Sequence, residues 1–102
     1  MENLVFKEKD GVLTASLTGE LDHCLAAAVR ETIDAEFYKR QPDKLCLDIS
    51  GVSFMDSSGL GLIMGRYTAA KNCGRSFFLR GADERAVKIL ALAGLDRIIE
   101  FE

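Results

Sequence analysis

The residues best suited to chemistry stand together in Asp56-Ser57-Ser58, a carboxylate and two hydroxyls where a strand-like pattern gives way to a helical one. Asp and Ser start helices because their side-chain oxygens satisfy orphan backbone amides, so capping alone accounts for their types. The same amides, with the positive end of the helix dipole, also favour a phosphate. Downstream, Gly59, Gly61 and Gly65 each cost up to about 1 kcal/mol of helix stability relative to Ala, so something must favour small residues there. At 100° per residue, Leu60, Ile63, Met64 and Tyr67 share one face, predicted to point inward. Ser58, Gly61, Leu62, Gly65 and Ala69 cluster opposite, predicting a smooth exposed strip with an outward Leu62 that suits docking of another protein.

Enzymatic readings of these residues fit less well. Gly59-Leu60-Gly61 followed by Gly65 has one residue too many for a dinucleotide-binding fingerprint and falls inside the helix rather than before it. Ser57 lacks the glycine two positions earlier that a nucleophile elbow requires, and His23 is the only histidine available as its base. His23 reads instead as a solvated residue of a helix start. Cys24, Cys46 and Cys73 are odd in number and form no CxxC pair, which predicts reduced packing thiols and neither disulfide framework nor zinc site. The chain is therefore expected not to be an enzyme and to hold no metal or cofactor.

The elements that position this segment follow from periodicity. Leu4 to Glu8 and Val12 to Thr18 read as strands joined by an Asp10-Gly11 hairpin turn. Leu25, Val29, Ile33 and Phe37 recur every fourth residue within a helix over about Leu21 to Arg40, with Asp22 as N-cap and Pro42 beyond its end. Leu45, Leu47 and Ile49 alternate with Lys44, Cys46 and Asp48 in a strand with one buried face. Ser50 to Met55 reads as a connector into the central helix. Ser76 to Arg80 is a further strand, and Asp83 starts a helix with Ala86, Val87, Leu90 and Ala93 inward and Gly94 at its end. Arg97 to Phe101 is a short closing strand. The order β-β-α-β-α-β-α-β predicts an α/β fold with a partly parallel sheet and helices mainly on one face.

Residues 1–102 are too few for two cores, so a single domain is expected. A net charge of −3 without a basic stripe argues against nucleic acid as a partner. No apolar run reaches membrane-spanning length and the first residues lack signal-peptide character, so a cytoplasmic location away from membranes is expected.

The run Phe54-Met55-Asp56-Ser57-Ser58-Gly59-Leu60-Gly61, with Thr18-Gly19-Glu20-Leu21-Asp22 upstream, resembles the STAS domain family of anti-sigma factor antagonists, and the likeness extends over nearly the whole chain. The resemblance implies a mixed sheet of four or five strands. It implies that the unmodified chain binds an anti-sigma factor with serine kinase activity and releases a sigma factor, as in sporulation. Phosphorylation by that kinase then ends binding, and a serine phosphatase restores it. The family's acceptor serine falls on Ser57, with Ser58 as runner-up. Asp56 and Asp22 match acidic residues next to the acceptor and in the neighbouring loop, both as partner contacts. The alternatives are a small nucleotide-binding domain, against which the absence of a GxxxxGK loop speaks, and a STAS module of a stress-response signalling complex with a different kinase.

Overall fold

A computed structural model describes residues 2–102. Two strands, β1 (Leu4–Lys9) and β2 (Val12–Leu21), form a hairpin, followed by α1 (His23–Arg40), β3 (Lys44–Met55), α2 (Ser57–Asn72), β4 (Ser76–Arg80), α3 (Glu84–Leu92), a 3-10 turn (Leu95–Arg97) and β5 (Glu100–Phe101). The hairpin turn places Asp10 at φ 53° and Gly11 at φ 79°, the left-handed pair that a tight turn between twisted strands needs.

The five strands form one sheet in chain order, β1-β2-β3-β4-β5. The β1–β2 pair is antiparallel and every later pair is parallel. Parallel neighbours need crossovers, and right-handed crossovers that always step the same way across a sheet lay every helix on the same face. That face carries the rows Leu13–Leu45–Phe77 and Ala15–Leu47–Leu79, all buried. Val29, Ile33 and Phe37 of α1 and Ile63 of α2 join them in one continuous core. At about 1.5–3 kcal/mol per buried Leu, Ile or Phe, these rows are the main source of stability.

Among the described residues no helix lies over the opposite face. A shallow concavity of about 530 Å³ there is lined by strand, hairpin and C-terminal residues alone, among them Thr14, Phe78 and Arg80. Cys46, between Thr14 and Phe78 in the sheet, is nonetheless fully buried. Arg80 lies across Phe78, its guanidinium carbon 5.7 Å from the ring centre, and donates to Glu102 through Nε and Nη2 at 3.0 and 2.8 Å.

Four sequence expectations need correction. Ser50 to Met55 is the second half of β3, not a connector. Pairing with β2 jumps from Ser16–Asp48 to Thr18–Gly51 and from Gly19–Val52 to Glu20–Phe54. Each jump inserts an extra residue in β3, a bulge that breaks the two-residue alternation by which a strand is read. The closing strand shrinks to Glu100–Phe101, because Arg97 belongs to the 3-10 turn. Ala93 is exposed and caps α3, which leaves Leu90 as the buried residue of that helix. The fourth correction concerns α2 and its Leu62.

Candidate functional site

Strands β2 and β3 run parallel and end side by side, with Leu21 paired to Met55. The next residue of each is an N-cap. Asp22 accepts from the Leu25 amide at 2.9 Å and starts α1, while Asp56 accepts from the Ser58 amide at 2.8 Å and starts α2. Two carboxylates, two helix N-termini and both serines therefore meet at the carboxyl ends of the parallel strands, where open α/β sheets place their sites. Asp83 repeats the device at the start of α3, accepting from the Ala86 amide at 2.8 Å.

Ser57 is the first residue of α2 and is exposed. Ser58 is half-buried and lines a groove of about 280 Å³ between α1 and α2, together with His23, Arg30 and Gly61. The first-turn amides of α2 are largely occupied. The Asp56 carboxylate takes that of Ser58, and the Asp56 carbonyl accepts from Gly59 and Leu60 at 3.0 and 3.3 Å. An anion at this helix end thus meets a favourable dipole but few free donors, with a carboxylate beside it.

Helix α2 turns a different face to the core than its apolar residues suggest. Gly59, Leu62, Ile63, Arg66 and Ala70 are buried, whereas Leu60, Met64 and Tyr67 are half-buried, so the inward direction is rotated by roughly 100°, one residue of helix. Leu62, expected outward, is 4% exposed. Two features force the rotation. A Cβ on Gly59 would overlap Met55 Cγ and lie 3.2 Å from Leu21 Cδ2, so the bare glycine lets the first turn press onto the strand ends. One turn beyond Leu62, Arg66 is 7% exposed, with its Nε 2.8 Å from Asp34 Oδ1 of α1. Burial pulls the Arg66 pKa below the usual arginine value, and Asp34 opposes that shift. Sequence reasoning misses Arg66 because an arginine flanked by glycine and tyrosine reads as surface. Asp34, four residues before Tyr38 on α1, carries no signal that it pairs across helices.

Gly61 is exposed and Gly65 half-buried, and nothing lies within 4 Å of a Cβ built at either. Internal packing explains Gly59 but gives no reason for these two. Phe54, just before the site, is 47% exposed, and its place in the sequence gives it no functional reading of its own. Among the described residues no helix is long and apolar enough to cross a membrane, and no group of three His, Cys, Asp or Glu is placed to hold a metal ion.

Comparison with known proteins bears on the family and the fold. A family model described as STAS domain matches residues 3–102. The anti-sigma F factor antagonist of Paenibacillus polymyxa is 36% identical over 89 residues, covering 87% of this chain and 76% of the relative. The anti-sigma-B factor antagonist of Bacillus subtilis is 30% identical, covering 96% and 88%. Among solved structures, the anti-sigma factor antagonist SpoIIAA in its unphosphorylated form superposes with a TM-score of 0.82 at 23% identity, covering 97% of this chain and 87% of that one. SpoIIAA of Bacillus in its phosphorylated form superposes with a TM-score of 0.76 at 23% identity, covering 97% and 90%.

Proposed function

This chain belongs to the STAS domain family, and we propose that it is an anti-sigma factor antagonist switched by phosphorylation of Ser57. The unmodified protein binds an anti-sigma factor that is also a serine kinase, so that a sigma factor is freed in the cytoplasm. The kinase then modifies Ser57 and the complex dissociates, until a serine phosphatase removes the phosphate. Asp22, Asp56, Ser58, Gly61 and Gly65 surround the acceptor as partner contacts. Leu62 leaves that set, because a side chain closed into the core offers no surface for docking.

The observation that carries this reading is the exposure of Ser57 at the first position of α2, beside two N-cap carboxylates and two helix starts. A kinase must reach the hydroxyl, and Ser57 is open where Ser58 is half closed in the inter-helix groove. A phosphate on Ser57 adds roughly −1.5 to −2 charges at neutral pH. Within the domain the helix dipole favours it by about 0.3–1 kcal/mol, and Asp56 works against that gain. Across the interface, a partner carboxylate or nucleotide phosphate about 4 Å away repels it by about 4 kcal/mol per charge pair at an effective dielectric near 20. Half of that weakens binding roughly 30-fold. The switch is local, and the fold stays as it is.

Incubation with the anti-sigma kinase and ATP is expected to label the native chain and Ser58→Ala but not Ser57→Ala. Ser57→Asp is expected to lose binding. Label retained on Ser57→Ala, or unweakened binding by Ser57→Asp, refutes the reading.

A further inference from the structure

Phe54 is a large aromatic side chain left 47% exposed near the end of a parallel strand, a position that folding alone does not reward. The other large apolar side chains exposed among the described residues lie elsewhere. Val5 is on the outer strand β1, Tyr38 in the last turn of α1, Leu92 at the end of α3 and Ile98 after the 3-10 turn. Phe54 owes its place to the second bulge of β3, which inserts a residue between the pairs Gly19–Val52 and Glu20–Phe54. Bulges next to functional sites re-aim a side chain in this way.

The distance to Ser57 fixes what covers Phe54. Three residues of extended chain span at most about 11 Å. A partner contact of ordinary size buries about 800 Å² on each side, a disc of about 16 Å radius. A contact of that size centred on the Ser57 hydroxyl therefore reaches the position of Phe54. Inside such a footprint, a desolvated aromatic dominates the binding energy while most neighbouring contacts matter little. Phe54 shares a small cleft with Asp83, Arg85 and Ile89, and around it the carboxylates of Glu20, its partner in the sheet, and of the helix caps Asp22, Asp56 and Asp83 outnumber the one cation, Arg85.

We propose that Phe54 is the apolar anchor of the complex, seated in a hydrophobic pocket of the anti-sigma kinase whose rim carries basic side chains. This rests on the reading of Ser57 as the acceptor that the kinase encloses. Anchoring and switching are then separate: Phe54 supplies affinity, and Ser57 decides whether it can be used.

The test compares native protein, Phe54→Ala, Phe54→Leu, Tyr38→Ala and Ser57→Asp for binding to the purified anti-sigma kinase by titration calorimetry, with melting curves to confirm folding. Phe54→Ala is expected to weaken binding roughly 30-fold, Phe54→Leu less, and Tyr38→Ala not at all. As a second measurement, Phe54→Trp introduces the chain's only tryptophan, whose emission is expected to shift to the blue on binding. Native-like affinity of Phe54→Ala, or an indole emission in Phe54→Trp that does not move on binding, while Ser57→Asp fails to bind, overturns the anchor and leaves the switch standing. If the native chain does not bind the kinase, the switch and the anchor fall together.

Discussion

Gly59 and Gly61 stand two residues apart in α2 and respond to opposite demands. At Gly59 a methyl group would overlap Met55, and Cγ is too close to the strand to swing away freely. Overpacking of this kind costs about 1–3 kcal/mol, so Gly59→Ala is expected to lower the urea midpoint. At Gly61 the methyl meets open space, and removal of a helical glycine returns about 0.5–1 kcal/mol. Gly61→Ala is expected to raise the midpoint, and a bulky residue there to weaken partner binding without loss of fold. A natural chain that forgoes an available gain in stability at an exposed position is consistent with a surface kept flat for contact.

At the scale of elements, α1 and α2 lean on each other through an ion pair that is half hidden. Arg66 is enclosed, with its Nη1 lacking a partner among the described residues, and Asp34 supplies its one counter-charge at 2.8 Å. Removing one member of such a pair leaves the other uncompensated, whereas replacing an enclosed ion pair by apolar groups of similar volume is often neutral. Asp34→Ala is therefore expected to destabilise by about 1–3 kcal/mol, and Asp34→Ala combined with Arg66→Met to recover most of the loss in urea denaturation. If the double variant were the less stable of the two, the pair would contribute net stability rather than orientation of the helices. The bulged half of β3 acts at the same scale, since its two extra residues carry Phe54 and Asp56 to their places at the strand end.

The whole molecule folds around one apolar core as a unit, so a titration buried on either face of its sheet registers on the stability of the entire chain. Burial pushes the Cys46 thiol up from 9.0 to about 11, with Arg80 opposing the shift. The unfolded chain thus releases this proton first. Stability from this group is intact below pH 9 and is lost as pH rises from 9 towards 11, by about 3 kcal/mol in all. Unfolding free energies measured across that window are expected to fall more steeply for the native protein than for Cys46→Ala. Equal slopes would mean that Cys46 is not sealed beneath Thr14, Phe78 and Arg80. The same topology that leaves this face without helices gathers the N-termini of α1, α2 and α3 at one end of the sheet. Under the proposed function, a single surface therefore serves for docking and for modification.

Legibility in the sequence followed the range of the forces involved. The α/β class, the hairpin at Asp10-Gly11, the caps Asp22, Asp56 and Asp83 and the serine-bearing start of α2 were all readable, because turn dihedrals, capping oxygens and hydrophobic period act within a few residues. The inward face of α2, the burial of Leu62 and Arg66, the extension of β3 through Ser50–Met55 and the exposure of Phe54 were not. Each depends on a contact between distant segments: Gly59 on Met55 and Leu21, Arg66 on Asp34, and the register of β3 against β2. Local periodicity carries no record of such contacts. The sequence alone therefore determined where a hydroxyl and its flanking carboxylates would start a helix, and only the tertiary structure decided which side chains around them face a partner, because burial is settled by neighbours far away along the chain.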